Sequence, residues 1–91
     1  MKYQIRRTSQ LKKDYKQSIK RGLSIEKLDT AIELLAKNGS LPPEYRDHPL
    51  IGDMQGLREC HIEPGWLLVY RIDHRVLVLV LIATGAHSDL F

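Results

Sequence analysis

The stretch from Val76 to Ile82 reads Val-Leu-Val-Leu-Val-Leu-Ile. β-Branched residues alternate with leucine, so a strand made of it is apolar on both faces. Such a strand belongs inside a sheet, covered on both sides for much of its length. The apolar run ends at Ala83 and is too short to cross a bilayer as a helix.

The neighbours of that strand can be read from the same chain. Strands are predicted over Leu57 to Ile62, Trp66 to Ile72 and Arg75 to Ala83, with turns at Pro64-Gly65 and Asp73-His74. Tyr3 to Arg7 reads as a first strand with Tyr3 and Ile5 on one face. Ser9 is the expected N-cap of a helix in which Leu11, Tyr15 and Ile19 face the core, and Gly22 ends it. Ser24 opens a second helix, with Glu26 in its first turn and the stripe Ile25, Leu28, Ile32 and Leu35 behind it. Lys37-Asn38-Gly39 closes that helix. From Ser40 to Gly56 the chain carries Pro42, Pro43, Pro49 and Gly52, and reads as loop. The order β-α-α-β-β-β predicts an α+β fold, a small, mostly antiparallel sheet packed against a helical hairpin. Ninety-one residues are expected to form one domain, residues 1–91.

Charge divides the chain. Residues 1–27 hold nine Lys/Arg and two Asp/Glu, or +7, whereas residues 28–91 hold five and nine, or −4. The basic part fits a polyanionic partner, most simply nucleic acid, and fits a solvated helix face equally well. Cys60 is the single cysteine, so no internal disulfide can form and a reducing, cytoplasmic setting is expected. No apolar run follows the first basic residues, so a signal peptide is not expected.

On the strand from Leu57, Cys60 and Ile62 fit the core, while Glu59 and His61 point the other way. His48 lies in the loop Tyr45-Arg46-Asp47-His48-Pro49, and His87 lies in the tail Thr84-Gly85-Ala86-His87-Ser88. His48, His61 and His87 thus occupy strand ends and adjoining loops, where sites are usually built. His74 is explained by its turn. Two imidazoles can take one proton and return another within a single reaction. RNA cleavage through its 2′-hydroxyl needs such a pair, with cations to stabilise charge on phosphorus. Arg46, Arg58 and Lys37 are candidates for that. Glu59 beside His61 would favour an imidazolium and orient the ring. The histidine spacings match no familiar zinc motif, so neither metal nor cofactor is expected. Trp66 and Tyr70 read as core aromatics, although Trp66 could line a base-binding groove, and Phe91 could stack on a base.

The segments LPPEYRDHPLIGDMQGLRECHIEPGWLLVYRI and TGAHSDLF resemble the YafQ branch of the RelE-type toxins, and the resemblance covers nearly the whole chain. Its elements are D-H-P-L, a strand ending in H-x-E-P-x-W, L-x-Y, and T-G-x-H. The resemblance implies the toxin half of a bacterial type II toxin–antitoxin pair, a ribosome-dependent endoribonuclease that cuts mRNA in the A site without a metal. It implies His48, His61 and His87 as catalytic and Phe91 as a substrate holder; the residues themselves add Glu59 beside the histidines and Arg46, Arg58 and Trp66 as candidate substrate contacts. One of His48 and His87 would be the base and the other the acid. Glu59 stands where the subfamily tends to carry Asp. Gly65 stands where an acidic residue usually precedes the tryptophan, a role Glu63 could take over. Lys12, Lys13, Lys16, Lys20 and Arg21 would dock on RNA of the 70S ribosome or receive the acidic arm of a DinJ/RelB-like antitoxin. The toxin–antitoxin complex would bind operator DNA through the antitoxin, and no membrane is involved. A gyrase-poisoning toxin of the ParE type and a plain RNA-binding module are the alternatives.

Overall fold

The computed structural model describes residues 2–54 and 56–91. Its elements follow the chain as β1 (Gln4–Arg7), α1 (Ser9–Lys20), α2 (Ile25–Asn38), β2 (His48–Pro49), β3 (Arg58–Glu63), β4 (Trp66–Asp73), β5 (Val78–Gly85) and α3 (His87–Leu90). Single 3₁₀ turns at Pro43–Tyr45 and Gly52–Met54 shape the segment read as loop. The sheet runs β1-β5-β4-β3-β2, with β1 parallel to β5 and every other pair antiparallel. The expected α+β architecture is present.

α1 and α2 cover one face. Leu11, Leu28, Ala31, Ile32, Leu35 and Ala36 pack against Cys60, Ile62, Trp66, Leu68, Tyr70, Leu79 and Leu81. The two helices are also tied by a hydrogen bond from Tyr15 Oη to Asp29 Oδ1, 2.8 Å. Thr8, not Ser9, caps α1, its Oγ1 accepting from Leu11 N at 3.0 Å. Ile19 is exposed and Ser18 takes its expected place in the core. At 100° per residue, Ser18 falls about 20° from Leu11 and Ile19 about 80° away. Gly39 ends α2 in the left-handed region, at φ 74°, and a Cβ there would lie 2.5 Å from the Tyr3 hydroxyl. Glycine therefore serves both the helix stop and the close approach of β1.

β5 is interior, between β1 and β4, as its composition requires. It begins three residues later than expected, at Val78, because the turn occupies residues 74–77. Asp73 Oδ1 organises that turn by accepting from Arg75 N at 2.8 Å and Val76 N at 3.1 Å, and Leu77 closes it at φ 57°. Leu79 and Leu81 are buried toward the helices, whereas Val78, Val80 and Ile82 are half-buried, so the second face is less covered than expected. His74 shares a 2.7 Å hydrogen bond with the Tyr3 hydroxyl, linking the turn to the start of β1. No helix among the described residues is long and apolar enough to cross a membrane.

Candidate functional site

The open face of the sheet gathers the polar residues. Side chains alternate along a strand, so β3 sends Arg58, Cys60 and Ile62 toward the helices and Glu59 and His61 the other way. Across the sheet, His48 of β2 pairs with Glu59, Glu59 with Val69 of β4, and Val69 with Ala83 of β5. The next row is His61, Leu67 and Gly85. Residues paired across strands share a face. His48, Glu59 and His61 are therefore neighbours on the open side. One potential ligand atom from each lies within 4.8 Å of the other two.

Glu59 is buried, its side chain only 7% exposed, although nothing in the alternation pattern required that. Its partner is His48 rather than His61: Oε1 lies 3.2 Å from His48 Nε2. Glu59 Oε2 is buried and makes no hydrogen bond among the described residues. His48 Nδ1 lies 2.8 Å from the carbonyl oxygen of Arg46, which can only accept, so Nδ1 carries a proton. The imidazole is thus held between two acceptors. The His48 and His61 ring centroids are 6.1 Å apart.

His87 opens α3, two residues after Gly85. Gly85 is two strand spacings from His61, or about 10 Å. His87 and Phe91 are exposed on one turn, ring centroids 5.0 Å apart. Asp89 fixes that turn: its Oδ2 accepts from Ala86 N and pairs with Arg21 Nη1, each at 3.1 Å. These two contacts, Arg21 first, hold the Asp89 carboxyl below the usual carboxylate range.

Several expected site residues are placed elsewhere. Trp66 is buried in the core and donates Nε1–H to Thr84 Oγ1 at 3.0 Å, while bordering a cavity lined also by Gly65, Thr84 and Asp89. Arg58 Nε donates to Asp47 Oδ1 at 3.2 Å on the helix-facing side, away from the histidines. Lys37 belongs to α2, behind the sheet. Arg46 brings its carbonyl to His48, while its side chain is exposed. Glu63, the residue expected to take over the acidic role at Gly65, is paired with Lys27 of α2. Gly65 is in the β3–β4 turn at φ 82°, a conformation that favours glycine. Lys12, Lys13, Lys16 and Lys20 are exposed on α1, but Arg21 is committed to Asp89. Asp47 and Tyr70, outside the expected site residues, are joined next to His48 by a hydroxyl–carboxylate hydrogen bond of 2.7 Å. The only sequence signal was the acid immediately before His48.

A helix-backed sheet carrying two imidazoles and a buried carboxylate on its open face, with a third histidine near the same rows, defines a small α+β domain equipped for proton transfer. The profile described as "Bacterial toxin of type II toxin-antitoxin system, YafQ" matches residues 3–91, and the chain belongs to that family. It is 39% identical over 85 residues to the mRNA interferase toxin YafQ of Escherichia coli K12, covering 92% of this chain and 90% of that protein. The toxin in the Escherichia coli DinJ–YafQ complex superposes with a TM-score of 0.89 at 37% identity over 98% of each chain. A metal-bound toxin from Helicobacter pylori superposes at 0.88, with 38% identity over 98% of this chain and 99% of that one.

Proposed function

We propose that this chain is a ribosome-dependent endoribonuclease toxin that cuts mRNA in the A site by acid–base catalysis. The observation that carries this reading is the His48 imidazole held between the Arg46 carbonyl and the Glu59 carboxylate, beside His61 on the open face. Such a ring satisfies both acceptors when doubly protonated, or when the carboxyl holds the proton instead. A doubly protonated ring in this seat has a proton to give. His48 is then the general acid and His87, exposed beside Phe91, the general base.

In the reaction, His87 takes the proton of a ribose 2′-hydroxyl, whose oxygen attacks the adjacent phosphorus. The bond to the 5′-oxygen breaks, and the His48–Glu59 pair protonates that oxygen. The products are a 2′,3′-cyclic phosphate and a 5′-hydroxyl, and the two protons balance. His61 faces the non-bridging oxygens, where a cationic ring offsets the added charge. Phe91 stacks on a base next to the cut. The partner fitting the exposed α1 lysines is ribosomal RNA, and in the neutralised state the acidic arm of a DinJ-like antitoxin, through which operator DNA is bound.

The same three side chains also suit a borderline transition metal. Imidazole nitrogens and a carboxylate oxygen are the usual donors, and Glu59 Oε2 has no partner among the described residues. A metal-bound Helicobacter pylori relative supports this second role. An ion there would engage the imidazoles that catalysis requires, so it would inhibit.

The test is primer extension on mRNA from a translating ribosome extract, with wild-type protein, His87→Ala and EDTA in parallel. New ends in the A-site codon that survive EDTA and vanish in folded His87→Ala are expected. Wild-type cleavage by that variant would refute the assignment.

A further inference from the structure

His48 hangs on a margin that the sheet holds weakly. β2 is two residues long at the edge of the sheet, and Pro49 has no N–H to donate to the ladder. The residue before Asp47 is not relaxed either. Arg46 adopts φ 51°, in the left-handed region that non-glycine residues rarely occupy. That conformation aims its carbonyl at His48 Nδ1. Locally, Arg46 N–H donates to the Pro43 carbonyl at 3.0 Å, and a second contact ties the loop to the sheet.

Asp47 provides the hold. Its Oδ1 accepts from Tyr70 Oη at 2.7 Å and from Arg58 Nε at 3.2 Å. Tyr70 is 1% exposed in the middle of β4 and pairs directly with Arg58 of β3. Burial, with Asp47 beside it, pushes the Tyr70 phenol well above its ordinary range, so the hydroxyl keeps its proton and donates. Asp47 is on the helix side and the next residue, His48, is on the open side. The clamp behind the sheet thereby sets a ring in front of it.

We propose that Asp47, clamped by Tyr70 and Arg58, is a positioning residue that seats His48 against Glu59 for cleavage. The inference rests on the reading of His48 as part of the cleavage site. The link runs from the Tyr70 hydroxyl to the Asp47 carboxylate, through the backbone to the Arg46 carbonyl and His48 Nδ1, and across the ring to Glu59. Loss of the Tyr70 hydroxyl frees the loop while leaving the aromatic ring packed in the core.

The experiment compares Tyr70→Phe, Asp47→Asn, Asp47→Ala, Cys60→Ala and His48→Ala in the toxin. It measures kcat and KM on programmed ribosomes, the ring NMR signals of His48, and the melting temperature. Tyr70→Phe and Asp47→Ala are expected to lower kcat roughly ten- to hundredfold with KM nearly unchanged, as misplaced catalytic groups do. Their His48 signals should shift and broaden. Asp47→Asn, whose amide oxygen still accepts from Tyr70, should recover part of kcat. Cys60→Ala, a packing control in the same core, should melt earlier but keep kcat. Wild-type kcat and unchanged His48 signals in folded Tyr70→Phe would overturn the proposal. If Tyr70→Phe does not fold, Asp47→Ala in the partly exposed loop decides by the same two readouts. Wild-type cleavage by His48→Ala would sink the acid assignment instead. The His48 signals would then decide the clamp alone, displaced signals supporting it and unchanged ones refuting it.

Discussion

Replacing Glu59 with Gln removes the charge that faces His48 while keeping the shape of the side chain. The Oε1–Nε2 separation is 3.2 Å, the carboxylate is 7% exposed and the imidazole 46% exposed. A hydrogen bond to a charged group contributes about 1.5–3 kcal/mol. The His48–Glu59 contact is an ion pair open to solvent at the imidazole, which places it at or below the lower end of that range, about 1.5–2 kcal/mol at most. If this ion pair serves the transition state in full, Glu59→Gln slows cleavage by up to roughly ten- to thirtyfold, since about 1.4 kcal/mol is tenfold in rate. The assay is single-turnover cleavage of a reporter mRNA on ribosomes by Glu59→Gln, by His48→Ala and His61→Ala, and by each double variant. The pairing predicts that Glu59→Gln has little further effect once His48 is gone, yet retains its effect in the His61→Ala background. The opposite pattern would mean that Glu59 serves His61 and that the contact to His48 is incidental. Equal losses in all backgrounds would refute a paired role altogether. Melting curves should show no large loss of stability, because the substitution also relieves a buried carboxylate whose Oε2 lacks a partner.

The remaining predictions concern the core, the basic helix and the cation-binding capacity of the site. Burial, followed by Asp47 and Glu59, pushes the Cys60 thiol from 9.0 up to about 12. It should resist thiol reagents at pH 8 in the native protein and react once denatured. Because the folded value is raised, the stability linked to this thiol is complete below about pH 9 and declines as pH rises from there toward 12. Trp66→Phe loses the hydrogen bond to Thr84, worth about 1 kcal/mol, and should lower Tm by roughly 4–8 °C with cleavage retained; a collapse of activity without a change in Tm would return Trp66 to the substrate site. Charge-neutralising substitutions at Lys12, Lys13, Lys16 and Lys20 should weaken ribosome binding and flatten its salt dependence, an effect measured by co-sedimentation across a salt series and contradicted by an unchanged slope. Added zinc or copper should inhibit cleavage and EDTA should restore it; stimulation by the metal would overturn the metal-free mechanism.

Local chemistry and periodicity in the chain determined much of this protein. The apolar Val76–Ile82 stretch placed the final strand between neighbours inside the sheet, although Val76 and Leu77 fall in the turn and the second face is only half covered. Pro64-Gly65 and Asn38-Gly39 marked a turn and a helix end through backbone preference alone. Alternation put Cys60 in the core and Glu59 and His61 opposite it. Where a helix face was judged by four-residue steps, drift at 100° per residue carried Ile19 out and Ser18 in. Partnership was decided only by the tertiary structure. Glu59 and His61 are two residues apart, yet the antiparallel register of β2 on β3 gives Glu59 to His48, eleven residues away. Arg58 reads as a phosphate ligand until Asp47 arrives from another loop, and Arg21 reads as a docking residue until α3 brings Asp89 to it. Sequence periodicity determines which face a side chain is on. Which groups meet on that face depends on strand register and loop paths, and those are set by the packing of the whole chain.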